Sequence, residues 1–324
     1  LRFTGEEVQS WGLQVQRRIF RLEERSTWQR IPKDSTGWVS QFGEIRGLTN
    51  LTPKRRIELM PYAVASADSR VSDPGNPFYD GSESDFDGGI DGKLGVSSAL
   101  TLDFTVNPDF GQVEADPSQV NLTAFETFFH ERRPFFIEGN DILEIRLAPA
   151  ITGGSFTRDL LFYSRRIGRA PGFSPDADFV DSPDNSKILG AFKLSGKTAG
   201  GLSIALMNSV TDEEKARTDI SGVRGNPAVE PLTNFFVGRL QQDFGEGNTQ
   251  IGGMITSVYR DLGSEAQLDF MREQAWAGGV DFSHYFKDRD YRLEANFLGS
   301  TIRGSEEAIY EAQTSSARYF QRPD

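Results

Sequence analysis

The 324-residue sequence contains no cysteine, only 4 methionines and only 2 histidines. Without cysteine, the chain can form no disulfide, no thiolate zinc site and no thiol nucleophile. The two histidines, His130 and His284, are isolated in the sequence, so neither a histidine-pair metal site nor a Ser-His-Asp triad has support. We therefore predict no catalytic residue, no metal site and no cofactor.

Long hydrophobic runs are also missing. No segment approaches the roughly 20 apolar residues that a membrane-spanning helix needs, which excludes helical insertion. Transmembrane β-strands remain allowed, because each needs only about 10 residues with apolar side chains on one face. Positive charge is scarce as well, since 35 Lys and Arg against 47 Asp and Glu give a net charge of -12. An acidic chain repels phosphate backbones, so nucleic acid is not an expected partner.

Glycine and phenylalanine are abundant, with 33 and 25 copies, and this composition suits long strands joined by tight turns. In the C-terminal part of the chain, three pairs of alternating segments are each joined by a short turn, which predicts three β-hairpins. These pairs span 187–207, 233–260 and 276–297. Gly89 to Asn107 predicts a fourth hairpin, and 56–70 predicts a further strand that is weakened by Pro61.

The alternation is typical of strands that separate lipid from a polar lumen. In the second pair, Phe236 and its apolar neighbours alternate with Arg239 and other polar side chains. Trp276 and Tyr291 lie near predicted strand ends, where interfacial aromatic girdles belong. Turns of a few residues alternate with long polar connections such as 211–230. We predict an all-β fold, an antiparallel up-and-down outer-membrane-type β-barrel with a short helix-containing inserted segment.

Residues 1–48 have a different character. Arginines are scattered there among Trp11, Trp28 and Trp38 with little alternation, so we interpret this region as the tail of a preceding domain. Residues 49–324 are predicted to be the first part of the barrel. Because the sequence begins with Leu rather than Met and ends in residues typical of mid-chain sequence, we expect an incomplete barrel in a piece of a longer protein.

The densest group of polar residues follows the strand predicted at 100–106. We predict that 107–140 lines the lumen or the rim of the barrel, where its charges pair with one another and with cations of 163–169. Within this region, 121–132 is predicted to be a helix that Pro134 stops. Paired carboxylates could also serve a glycosidase, but spacing along a chain does not bring two of them to one sugar. The predicted charge network comprises Asp109, Glu114, Asp116, Glu131, Arg132, Arg133, Glu138, Arg165, Arg166 and Arg169.

Several motifs together resemble a large, poorly characterised family. They are Trp11-Gly12, Arg17-Arg18-Ile19, the stretch from Leu100 to Asp116, Glu131-Arg132-Arg133-Pro134-Phe135-Phe136, the stretch from Tyr163 to Arg169, and the terminal Arg318 to Asp324.

Members of that family resemble a family-9 carbohydrate-binding-like domain joined to a C-terminal outer-membrane-type barrel. The resemblance implies that residues 1–48 end such a carbohydrate-binding-like domain. It also implies a location in the outer membrane of a Gram-negative-type bacterium, with membrane lipid and carbohydrate as partners. It supplies no catalytic residues and no protein partner.

Three functions follow for comparison. The leading one is a non-catalytic outer-membrane barrel linked to carbohydrate binding, uptake or surface attachment. The first alternative is a secreted glycoside-type hydrolase, which needs two carboxylates about 5 to 10 Å apart in an open cleft, not buried against arginine. The second is a soluble β-sandwich binding module. A sandwich would direct a set of apolar side chains into one shared core, whereas a barrel would direct the same set toward lipid. That set is Phe192, Ile204, Phe236, Phe282 and Phe297.

Overall fold

A computed structural model describes residues 8–31, 39–51, 56–69, 71, 75–108, 128–143, 145, 160–245 and 247–315. These residues form antiparallel β-sheets with a few short helices, which confirms the all-β prediction. The chain divides into two compact units. The first contains residues 1–55 and 97–99, and the second contains 56–96 and 100–324.

The first unit holds four short strands that pair in two small sheets. β1 pairs with β4, and β2 pairs with β3, in both cases antiparallel. Whether residues 1–48 end an upstream domain stays a prediction. The strands are β1 (Val8–Leu13), β2 (Gln16–Ile19), β3 (Glu24–Thr27) and β4 (Gly43–Thr49).

The second unit is built on one large sheet with smaller sheets in its connections. Its strands are β5 (Ile57–Ser69), β6 (Ser82–Gly95), β7 (Leu100–Val106), β8 (Phe179–Asp181), β9 (Ile188–Lys197), β10 (Leu202–Thr211), β11 (Glu214–Lys215), β12 (Arg217–Ile220), β13 (Val223–Gly225), β14 (Ala228–Glu230), β15 (Leu232–Phe244), β16 (Thr249–Asp261), β17 (Gln274–Phe286) and β18 (Tyr291–Arg303).

Nine of these strands form the large sheet, in the order β5-β6-β7-β9-β10-β15-β16-β17-β18. Every neighbour pair is antiparallel, and the order follows the chain, so the sheet is an up-and-down meander. The four predicted hairpins are all confirmed. Pro61 lies within β5, at an edge of this sheet, where a strand tolerates the missing backbone N–H.

The sheet is open in the part of the chain that the structure describes. Its edges are β5 and β18, which pair with β6 and β17 and not with each other. The antiparallel, up-and-down part of the fold prediction is therefore confirmed, and closure into a barrel is not observed. The small strands form two further sheets, β8 with β12 and β13, and β11 with β14.

Connection length alternates between the two ends of the sheet. One end carries the short turns 96–99, 198–201, 245–248 and 287–290. Because consecutive strands are antiparallel, the longer connections all meet at the other end. These are 70–81, 107–187, 212–231 and 262–273, and they hold all the small strands of the second unit.

The helices are short; all but α2, which follows β18, lie in the connections between strands. They are α1 (Pro134–Ile137), α2 (Glu306–Thr314) and the 3₁₀ helices Phe20–Leu22, Val39–Gln41, Asn140–Leu143, Ser164–Arg166, Ala266–Leu268 and Lys287–Arg289. No helix among the described residues combines the length and the apolar character needed to cross a membrane.

The helix predicted at 121–132 is not found where it can be assessed. Residues 121–127 lie outside the described residues, and 128–132 are not helical. Pro134 begins α1 instead of ending a preceding helix. The physical reason is that proline lacks an N–H, which the first turn of a helix does not use, so the same residue suits a start as well as a stop.

Close packing between β17 and β18 predicts the cost of filling one glycine. A Cβ at Gly279 would lie 2.6 Å from the carbonyl oxygen of Phe297 and 2.3 Å from Leu298, so the strands would have to move apart. We expect Gly279→Ala to lower the free energy of unfolding by about 1–3 kcal/mol, measured by urea titration with tryptophan fluorescence. Gly299→Ala is the matched control, since a Cβ there meets nothing within 4 Å. Equal effects of the two changes would contradict this account.

Candidate functional site

The two faces of the nine-stranded sheet differ in an unusual way. Side chains alternate between faces along each strand. The register places residues of one face of a strand beside residues of the same face of the next strand. One face, here called the polar face, carries the most deeply buried charges of the sheet, including Lys193 at 1% exposure and Arg239 at 2%. The other, here called the apolar face, carries Phe297 at 75% exposure and Val280 at 57%. Charged side chains are thus buried on the polar face, whereas large apolar side chains are exposed on the apolar face.

The polar face is covered by part of the connection between β7 and β9. This part, here called the inserted segment, comprises the described residues 128–143, 145 and 160–169 and contains α1. Its apolar side chains, including Phe136, form a buried cluster with a few apolar residues of the polar face. The cluster consists of Phe136, Leu143, Ile145 and Ile167 from the inserted segment, and Ile188, Ala205, Met207, Val237 and Met254 from the sheet and its border.

A row of three charges anchors the inserted segment on β6, β7 and β9. Lys93, Asp103 and Lys193 are direct cross-strand neighbours. The Asp103 carboxylate lies 3.6 Å from Lys93 Nζ and 4.0 Å from Lys193 Nζ. Lys93 also bonds the carboxylate of Glu138, and Lys193 Nζ donates to the carbonyl oxygen of Phe135. Both lysines therefore join the sheet to the inserted segment.

A second group of polar contacts, here called the Glu131 cluster, links the two halves of the inserted segment through Glu131, Arg133 and Ser164. Arg133 donates from Nε and Nη2 to both carboxylate oxygens of Glu131, at 2.9 and 2.8 Å. The same guanidinium donates to the carbonyl oxygens of Ile167 and Ser164, at 2.7 and 2.8 Å, and lies over the Phe136 ring. The Ser164 hydroxyl donates to Glu131 Oε2 at 2.5 Å. The two halves of the inserted segment are thereby tied together at a point where Glu131 and Arg133 are both buried.

A polar cavity of about 320 Å³ lies on the polar face beside the inserted segment. Its floor is crossed by a bidentate bridge from Arg239 on β15 to Asp281 on β17, at 2.8 and 3.0 Å. The bridge passes over β16 because Gly252, directly opposite Asp281, has no side chain; a Cβ there would lie 2.6 Å from Asp281 Oδ1. Gln241 accepts from Arg239 and donates to Asp243, which extends the chain of hydrogen bonds along the floor.

The predicted charge network is only partly within the described residues. Asp109, Glu114 and Asp116 lie outside them. Glu131 binds Arg133, and it reaches 163–169 through the Ser164 hydroxyl rather than through a cation.

The remaining predicted residues have other partners. Glu138 bonds Lys93, and the Arg132 backbone N–H donates to Glu131 at 3.0 Å. Arg165 and Arg166 occupy the 3₁₀ helix Ser164–Arg166, where Arg166 lies 6.0 Å from the centroid of the Tyr163 ring. Arg169 lies 3.5 Å from the buried carboxylate of Glu230, at the end of the sheet that carries the long connections. That these groups form one lumen network stays a prediction.

The sequence analysis did not single out the charges on the strands themselves. Lys93, Asp103, Lys193 and Asp281 each occupy a strand position flanked by apolar or small neighbours, which is the signal that could have marked them. Their pairing depends on strand register, which cannot be read from the sequence.

Neither histidine lies in a cluster of ligands. His284 Nδ1 lies 2.8 Å from the Thr249 hydroxyl, and its ring packs against Phe286 at 4.2 Å. His130 is exposed in the inserted segment. Within the described ranges, no three His, Asp or Glu side chains come together in an arrangement that could hold a metal ion.

Comparison with known families places the chain. Residues 53–321 match the family model described as Domain of unknown function (DUF5916), so the chain belongs to this family. A search of the curated proteins found no match. The predicted membership of an uncharacterised family is thus confirmed. The family description states no function, and the carbohydrate-binding-like domain and the barrel stay predictions.

The row of charges predicts a large difference between two lysines of β9. Lys193→Met leaves the buried Asp103 with one counter-charge fewer and removes the bond to Phe135, so we expect a loss of about 3 kcal/mol in unfolding free energy. Lys197→Met is the matched control, since Lys197 is half exposed and its pair with Asp243 is worth about 1 kcal/mol or less. Urea titration of both variants measures the difference. A Lys193 variant as stable as the Lys197 variant would contradict the anchoring role.

The Glu131 cluster predicts that the stability of the protein depends on pH. Burial alone would raise the pKa of Glu131, but the hydrogen bonds and charge of Arg133, with the Ser164 hydroxyl, outweigh burial and hold the pKa below its ordinary value of 4.5. A lowered pKa means that the carboxylate contributes stability above about pH 4.5 and loses it as pH falls through the folded-state value.

We therefore expect Glu131→Gln to be less stable than the unaltered protein at pH 7, and the gap to narrow at pH 3. Urea titrations at the two pH values measure both gaps. If the difference in unfolding free energy between the two proteins is the same at pH 3 and pH 7, ionisation of Glu131 is not what stabilises the Glu131 cluster.

Proposed function

We propose that this chain forms part of the wall of a non-catalytic outer-membrane β-barrel, with the inserted segment folded into its lumen. The observation that carries the proposal is the inverted burial of the nine-stranded sheet. Charged side chains are buried on one face, while large apolar side chains, such as Phe297 and Val280, are exposed on the other. A water-soluble sheet has the opposite arrangement, whereas a barrel wall in lipid has this one.

The dimensions of the apolar face support a membrane-spanning role. Trp276 and Phe286 lie at opposite ends of β17 on the apolar face, and each is about half exposed. Ten residues at about 3.4 Å per residue separate them by about 34 Å along the strand, or about 26 Å along the axis of a barrel with strands tilted by about 40°. The apolar band of an outer-membrane barrel is about 25 Å tall and is flanked by aromatic side chains.

The alternation of connection lengths supports the same proposal. Outer-membrane barrels have short turns on the periplasmic side and longer loops outside the cell. The short turns 198–201, 245–248 and 287–290 would then face the periplasm of a Gram-negative-type bacterium. The long connections, with their small sheets, would face the exterior.

The two alternatives are less well supported. A sandwich needs the apolar side chains named above in one core, yet Phe192 and Phe297 are exposed and the buried cluster of the sheet contains neither. A hydrolase needs a free carboxylate pair, whereas Glu131 is buried and committed to Arg133. The link to carbohydrate binding, uptake or surface attachment rests on the family resemblance of 1–48 and 100–116 alone.

Cysteine labelling in membranes tests the proposal, because these 324 residues contain no cysteine. Any cysteine encoded elsewhere in the complete reading frame is replaced by serine. Phe297→Cys and Glu294→Cys place a thiol on opposite faces of β18, three residues apart. The protein is expressed from its complete reading frame, and outer membranes are treated with a lipid-soluble or a water-soluble maleimide. We expect Phe297→Cys to react with the lipid-soluble reagent and to be protected from the water-soluble one by at least about ten-fold relative to Glu294→Cys.

Val223→Cys, in the exposed β13, is the control for reaction in water. The proposal is overturned if the protein fractionates with soluble proteins. It is equally overturned if Phe297→Cys reacts with the water-soluble maleimide as fast as Val223→Cys.

A further inference from the structure

The polar cavity beside the inserted segment has the features of a small-molecule site. Its volume of about 320 Å³ is at the lower end of the range of about 300–1,000 Å³ that ligand pockets occupy. It lies over β9, β10 and β15–β18, and Asp141 and Ile142 of the inserted segment form part of its wall. Arg239, on its floor, is almost fully buried and held in one orientation by Asp281. Such rigid hydrogen-bonding groups lose little entropy when a ligand binds.

The cations of the cavity are already neutralised within the protein. Arg239 is paired with Asp281 at 2.8 Å, Lys197 with Asp243, and Arg292 with Glu294. An anionic ligand would have to compete with each of these carboxylates for its cation. A zwitterion would meet the same obstacle, because its carboxylate needs a cation that is not already bound.

Neutral hydroxyl groups face no such obstacle. A carboxylate that binds one cation keeps lone pairs that can accept further hydrogen bonds, and guanidinium and amide groups keep donors. The lining adds Gln241, Gln250, Ser203 and Ser283, which both donate and accept. The wall thus presents three cations that are already paired, the additional carboxylate of Asp141, and amide and hydroxyl groups. This mixture of donors and acceptors matches a molecule that carries several hydroxyl groups, each of which is also both donor and acceptor.

We propose that this cavity binds a neutral polyhydroxylated solute about the size of a monosaccharide. The proposal rests on the proposed function, since in a barrel the cavity would be the part of the lumen that the inserted segment leaves open. Asp141 and Ile142 belong to the inserted segment and the remaining lining to the sheet, so a bound solute contacts both. The solute would thereby bind at the boundary between the barrel wall and the segment inside it.

The test uses the detergent-solubilised protein, expressed from its complete reading frame, and saturation-transfer NMR titrations with glucose and with glycine. We expect saturable binding of glucose at millimolar concentration and none of glycine. Asp141→Ala and Gln250→Ala each remove groups from the wall without touching a buried ion pair, and each is expected to weaken glucose binding about five-fold. Glu58→Ala is the matched control, because Glu58 lies on the polar face of β5 outside the cavity and should leave binding unchanged.

The outcomes separate this proposal from the proposed function. Failure of glucose to saturate at 100 mM, binding of glycine alone, or equal weakening by all three variants would overturn the solute site even if maleimide labelling supports the barrel. Saturable glucose binding that only the two cavity variants weaken would support the site. A soluble protein that fails the labelling test would overturn the barrel, whatever the titrations give.

Discussion

The polar face of the nine-stranded sheet buries charges that only other fixed groups of the protein can satisfy. Lys193 and Arg239 are almost wholly removed from solvent, and a buried charge without a partner costs on the order of 3–5 kcal/mol. This requirement fixes the register of the strands. A slip of one residue would carry each charge to the apolar face and away from its partner. The fold therefore depends first on the pairing of charges across strands.

The same requirement explains the position of the inserted segment. Apolar contacts around Phe136 attract it to the sheet but do not specify one position, because the hydrophobic effect is not directional. Direction comes from Glu138 and the Phe135 carbonyl oxygen, which complete the partners of Lys93 and Lys193. The sheet and the inserted segment thus satisfy each other's polar groups. Without the segment, Lys93 and Lys193 would each lose one of these partners.

Much of the sheet could be predicted from alternation, because side chains on a strand have a period of two and turns interrupt it. That pattern also separated Arg239 from its apolar neighbours. It could not reveal the row of Lys93, Asp103 and Lys193, since the last of these follows a connection of more than eighty residues and its partner is set by register. The prediction that Pro134 ends a helix is wrong for a different reason: proline is compatible with the first turn of a helix as well as with the position just after its end.

Exposure of the apolar face bears on the membrane location proposed above. The apolar face cannot take the place of the polar face against the inserted segment, since the polar face already packs there and its charges are paired. In hydrocarbon the apolar side chains need no partner, and the ladders satisfy the backbone groups of every interior strand. The edges β5 and β18 are the exception, because each unpaired N–H or C=O in lipid costs on the order of several kcal/mol. If the sheet lies in a membrane, both edge strands must therefore be paired, and closure of the sheet is the arrangement that pairs them.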